Sequence, residues 1–86
     1  MKLLVLYHPR SEFARPVEEF ADAFIKRGHK VELISLETRD GAALASLYDI
    51  VRYPALIVTD DIGHPSKDWQ GEQLPLKDEV AGYLAA

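Results

Sequence analysis

The sequence predicts one α/β domain in which a four-stranded mixed sheet carries helices on both faces. Three observations predict this class. A continuous apolar run at residues 3–6 precedes apolar residues at helical spacing and then a second apolar run, which is typical of a parallel βαβ unit. Two later strand-like runs precede a final amphipathic helix. The 86 residues, 48% of them hydrophobic, suffice for one core over the whole chain without a disulfide or metal.

The first half of the chain is predicted to form strand, helix, strand and short helix. Residues 3–6 are apolar throughout, as expected for a strand that is buried on both faces. Ser11 is the expected N-cap of the first helix and Gly28 its C-cap, with Asp40 as the expected N-cap of the second helix. The inward side chains of the two helices are predicted to be Phe13, Val17, Phe20, Ala21, Phe24, Ile25, Leu44, Leu47 and Tyr48. The second strand contains Val31, Leu33, Ile34 and Leu36.

The second half is predicted to form an antiparallel hairpin that a last helix covers. Pro54 begins the apolar run at residues 55–58, since proline is tolerated at the first position of a strand. A polar loop at residues 59–66 leads to an edge strand around residues 67–71. Pro75 is expected at the first position of the last helix. The inward residues of that helix are predicted to be Leu76, Val80, Tyr83 and Leu84.

Charge and composition argue against several classes of partner. The formal charge of −4 argues against nucleic acid and against a polybasic membrane anchor. No apolar run approaches the roughly 20 residues that span a bilayer. The run at residues 3–6 is too short for a secretory signal, and the lack of cysteine fits a reducing compartment. A cytoplasmic location is therefore expected, while the oligomeric state is not specified.

One segment of the chain resembles the active-site motif of the thioredoxin-like fold family. That family carries an aromatic residue, two cysteines separated by two residues, and a helix proline five residues after the second cysteine. Here Tyr7 matches the aromatic position and Pro16 the helix proline, while His8 and Ser11 stand at the cysteine positions. The match extends over nearly the whole chain in its shorter, glutaredoxin-sized form. It implies a thioredoxin-like fold of order β-α-β-α-β-β-α.

A second segment, residues 48–58, resembles the run that leads into the cis-proline of the same family. The resemblance implies a cis bond between Tyr53 and Pro54. In the family this loop lies beside the start of the first helix, and its main chain hydrogen-bonds extended ligands. The residue before the proline, Tyr53, would offer its N–H and C=O for such strand-like pairing.

Thiol–disulfide exchange requires a thiolate, and neither His8 nor Ser11 can supply one. The chain is therefore expected to be a redox-inactive relative, more a non-catalytic binding module than an enzyme. Its ligand would be an extended peptide or a small anion at the cis-proline groove. The anion is suggested because the N-terminus of a helix favours anions. The expected groove residues are Tyr7, His8, Arg10, Ser11, Arg52, Tyr53 and Pro54.

Other interpretations of these residues stay open. The two arginines, Arg10 and Arg52, could instead be solvated or paired with Glu12 or Asp49. An enzyme that uses glutathione or another thiol could be assisted by Ser11 or His8, and a structural subunit could dimerise through an edge strand. No cofactor and no metal are expected, since turn chemistry explains the polar residues Asp60, Asp61 and His64.

Overall fold

The computed structural model describes residues 1–85, which form a four-stranded sheet between two layers of helix. The strand order is β2-β1-β3-β4; β1 and β2 are parallel, and the other two pairs are antiparallel. The predicted element order and mixed sheet are confirmed. The elements are β1 (Lys2–Tyr7), α1 (Ala14–Lys26), β2 (Val31–Ser35), α2 (Arg39–Leu47), β3 (Ala55–Thr59), β4 (Pro65–Gln70) and α3 (Lys77–Leu84).

The two central strands divide their side chains between two cores. Leu3, Val5 and Tyr7 of β1 belong to a core with α1 and α3, whereas Leu4 and Leu6 belong to a second core with α2. Every residue of β3 is buried, because helices cover both faces of the sheet there. Within residues 1–85, no helix is long and apolar enough to cross a membrane.

The first helix starts later than the sequence predicts. Ser11 does not cap α1, because a turn follows β1 and Phe13 occupies the N-cap position without a side-chain hydrogen bond. The Ser11 hydroxyl instead donates to the main-chain oxygen of His8 at 2.9 Å, beside the Ser11 N–H at 3.0 Å. Pro16 lies in the first turn of the helix, where its missing N–H would have no intrahelical partner.

The predicted starts of the other two helices are also wrong. Thr38 caps α2, since its Oγ1 accepts the N–H of Gly41 at 3.0 Å, and Asp40 lies in the first turn. The side chain of Thr38 therefore already performs the N-cap role that was predicted for Asp40. Pro75 precedes α3, because Leu76 is extended and takes the N-cap position, with 76% of its surface exposed.

Three more apolar residues predicted to face inward are substantially exposed. Leu47 is the last residue of α2, and 71% of its surface is exposed. Ile25 lies beside Leu33 of β2, and no further strand covers this edge of the sheet. Tyr83 is partly exposed and packs edge-on against Trp69, with 5.5 Å between ring centroids. Helical spacing therefore predicts the correct face but not how far the core extends.

The hairpin between β3 and β4 has an Asp-centred turn. Oδ1 of Asp60 accepts the N–H groups of Ile62 at 3.0 Å and His64 at 2.9 Å. These hydrogen bonds, the one from His64 foremost, lower the pKa of Asp60 below its ordinary value. The strand β4 starts at Pro65, before the predicted boundary, and lies at the edge of the sheet as predicted.

Candidate functional site

The loop between α2 and β3, residues 48–54, is held in place by the end of the edge strand β4. Its Tyr53–Pro54 peptide bond is cis. Oε1 of Gln70 accepts the N–H groups of Val51 at 2.9 Å and Arg52 at 3.2 Å. These bonds orient the main chain that leads into β3.

The structure brings three of the predicted site residues together. His8 follows β1 directly, and its ring meets Tyr53 edge-on, with 5.4 Å between centroids and an interplanar angle of 87°. The Tyr53 hydroxyl donates to the main-chain oxygen of Ile50 at 3.2 Å. Ser11 joins this group through its bonds to the His8 carbonyl. Its hydroxyl does not contact the imidazole, so the two side chains do not form a nucleophile–base pair.

The other predicted site residues are placed differently. Tyr7 is buried towards α1, where its hydroxyl donates to Oε2 of Glu18 at 2.7 Å. Burial, followed by the hydrogen bond and charge of Glu18, raises the pKa of Tyr7 to about 12. Arg10 is 88% exposed, and its Nε lies 3.7 Å from Oε1 of Glu37. The Arg52 side chain is exposed and Pro54 is buried.

Arg10 is therefore directed towards the end of β2. Its partner is Glu37, which follows β2, and neither Glu12 nor Asp49. The expected convergence of Arg10 and Arg52 with His8 stays a prediction: the His8 ring contacts Tyr53, and the Arg52 side chain is exposed. The carboxylate of Glu37 offsets part of the positive charge that the sequence places before α1.

An open pocket of about 410 Å³ lies beside His8 and Tyr53, on the face of the sheet that α2 covers. Leu36, Ala45 and Val51 contribute apolar surface to it. Its polar lining includes Asp49, which the sequence did not single out as a ligand-binding residue. An apolar lining with a few polar groups is the usual composition of a binding site.

Asp49 occupies an unfavourable position at the end of α2. Its φ is 56°, a left-handed conformation that glycine adopts most readily. Its N–H donates to the carbonyl of Ser46 at 3.2 Å, while the Ile50 N–H donates to the carbonyl of Ala45 at 2.8 Å. This is a Schellman ending. The carboxylate also lies at the negative end of the helix dipole. An Asp where helices usually end in Gly was the signal in the sequence.

No family model matches the chain, and no curated protein matches it. Solved structures that are similar to the chain include two thioredoxins. Thioredoxin 1 from the thermophilic eubacterium Thermosipho africanus TCF52B has a TM-score of 0.66 and 13% identity, with 99% of this chain and 91% of that one covered. Oxidised mitochondrial thioredoxin 3 from Saccharomyces cerevisiae has a TM-score of 0.69 and 9% identity, covering 98% and 76%. At such identities the similarity shows the fold, which is thioredoxin-like as predicted.

Proposed function

We propose that this cysteine-free, thioredoxin-like domain is a non-catalytic binding module for an extended peptide. The peptide would lie in the cis-proline groove, which comprises the pocket beside His8 and the main chain of residues 51–53. The observation that carries the proposal is that this open pocket of about 410 Å³ borders the cis-proline loop. A cytoplasmic location belongs to the same proposal, supported by the lack of cysteine.

The main chain of the loop favours a strand-like ligand. Gln70 holds the N–H groups of Val51 and Arg52. Within residues 1–85, the N–H and C=O of Tyr53 form no hydrogen bond with another main-chain group. An extended peptide can supply both partners at once, as in strand addition. The fixed loop would lose little conformational entropy on binding, which increases affinity.

Exposed apolar side chains next to the groove favour a peptide over a small ion. Val51 is 78% exposed, Tyr53 is 37% exposed, and both line the pocket. Contiguous exposed apolar surface marks interaction sites in soluble proteins. The anion that the sequence also suggested has less support, because Arg10 pairs with Glu37 and the acidic residue Asp49 lines the pocket.

The proposal is tested by NMR titration of the full chain with a short uncharged peptide. The peptide is acetylated and amidated, with alternating alanine and valine around a central norleucine. We expect saturable amide shifts at Tyr53 and its neighbours. The His8→Ala variant should bind this peptide about threefold more weakly, because the aromatic wall of the pocket is lost.

His29→Ala is the matched control. Its ring also meets an aromatic ring, that of Phe24, with 5.7 Å between centroids, but it precedes β2 at the other end of the sheet. Peptide affinity should be unchanged in this variant. Absence of saturable shifts in the wild-type chain, with this peptide and with versions that carry a charged central residue, would contradict the proposed function. Parallel titrations with inorganic phosphate and with glutathione test the anion and thiol alternatives.

A further inference from the structure

An acidic residue without a cationic partner lines the cis-proline groove. Asp49 lines the pocket and is exposed. It takes part in none of the ion pairs among residues 1–85. The nearest arginine in the sequence, Arg52, does not line the pocket, and Arg10 is paired with Glu37. A cation from outside the chain would therefore meet no competing ion pair at Asp49.

The position of Asp49 strengthens its attraction for a cation. The residue follows the last turn of α2, where the helix dipole is negative. The carboxylate and the dipole thus act in the same direction on an approaching positive charge. Its left-handed φ of 56° would be better suited to glycine. An acidic side chain at the negative end of a helix is locally unfavourable, and a bound cation would offset this cost.

The rest of the pocket suits the aliphatic part of a long basic side chain. Leu36, Ala45 and Val51 line it together with Asp49. The methylene groups of lysine and arginine pack along apolar surface while the charged end stays at a polar group. A pocket that combines apolar walls with one acidic residue therefore suits a lysine or arginine side chain. A purely apolar or an acidic side chain would fit it less well. The net charge of −4 also favours a basic partner.

We propose that the groove selects a peptide with lysine or arginine at the residue that enters the pocket, with the charged group bound by Asp49. This inference rests on the proposed function, and it adds the chemical class of the ligand. It assigns Asp49 a binding role in addition to its place at the end of α2.

The test compares three peptides that differ only at the central residue: lysine, norleucine or glutamate. Norleucine keeps the aliphatic length of lysine without its charge. We expect the wild-type chain to bind the lysine peptide about threefold to fivefold more tightly than the norleucine peptide, as for one partly exposed ion pair. The glutamate peptide should bind more weakly than both. Raising the salt concentration should reduce the lysine preference.

Asp49→Asn removes the charge and keeps a residue that tolerates the left-handed conformation. In this variant the lysine preference should disappear while the norleucine peptide binds as before. Asp78→Asn is the control for net charge, because Asp78 lies in the first turn of α3 on the other face of the sheet. That variant should keep the full lysine preference.

The outcomes separate the two proposals. Equal binding of the lysine and norleucine peptides to the wild-type chain would overturn the basic specificity and leave the peptide-binding function intact. A lysine preference that persists in Asp49→Asn would overturn the assignment of Asp49. If none of the three peptides binds, the proposed function fails, and this inference fails with it.

Discussion

At the scale of single residues, Gly41 shows how a close approach of main chains fixes the residue type. It lies in the first turn of α2, directly against β2. A Cβ at this position would lie 1.9 Å from the main-chain oxygen of Ser35. That atom belongs to a strand and cannot move aside easily. The sequence suggested only that a helix starts here; the reason for glycine is the adjacent strand end.

Gly41→Ala should therefore destabilise the fold by about 3 kcal/mol or more, since an added methyl group would overlap main-chain atoms. Gly82→Ala is the matched control: an added Cβ there has nothing within 4 Å, and alanine in a helix should stabilise by about 0.5–1 kcal/mol. Urea unfolding of both variants measures the difference. Similar midpoints for the two variants would contradict this account.

At the scale of elements, a polar contact joins β1 to α1 at the edge of an apolar interface. The Tyr7 hydroxyl donates to Glu18 at 2.7 Å, and the ring belongs to the core beneath α1. The sequence placed Tyr7 in the ligand groove through a family resemblance. In the structure its alternation with Leu6 along β1 directs it to the opposite face from the pocket. Strand periodicity is thus the better guide to its surroundings.

This contact predicts a stability loss at high pH. Burial and Glu18 raise the pKa of Tyr7 from 10.0 to about 12, so the folded state retains a proton that the unfolded state loses. The stabilisation that the raised pKa of Tyr7 contributes is complete below about pH 10 and is lost as the pH rises through about 12. Urea unfolding at about pH 8 and about pH 11 should show a larger loss for the wild-type chain than for Tyr7→Phe.

Tyr83→Phe is the control for this pH dependence, because Tyr83 is partly exposed and packs on Trp69. It should lose as much stability as the wild-type chain over the same pH interval. An equal loss in all three proteins would show that Tyr7 does not carry the effect.

At the scale of the whole molecule, the edge strand β4 positions a loop that precedes it by many residues. Gln70 accepts from Val51 and Arg52 and also donates to Asp68 at 2.7 Å. The Gly71 N–H donates to the carbonyl of Pro54 at 3.0 Å. The geometry of the groove thus depends on the hairpin as well as on the loop itself.

Gln70→Ala should increase hydrogen exchange at the amides of Val51 and Arg52, because both lose their acceptor, and should cost about 1 kcal/mol of stability. Gln73→Ala is the control, since Gln73 lies in the loop after β4 and is exposed. Exchange at the two amides should not change in that variant. Unchanged exchange in Gln70→Ala would show that the loop holds its shape without β4.

The sequence by itself determined the secondary structure order, the mixed sheet and the absence of a redox thiol. These follow from apolar periodicity and residue chemistry, which are local properties. The helix starts were less predictable. Ser11 belongs to the turn after β1, and Thr38 occupies the N-cap position that was assigned to Asp40. Competing local hydrogen bonds of similar energy decide such boundaries.

Only the tertiary structure decided which polar groups meet. It pairs Arg10 with Glu37, Tyr7 with Glu18 and Gln70 with the cis-proline loop. It also makes Asp49 part of the pocket beside His8. Each of these contacts joins residues from different elements, and their relative placement comes from packing of the two cores against the sheet. A linear pattern records which residues are apolar, but it does not record these distances.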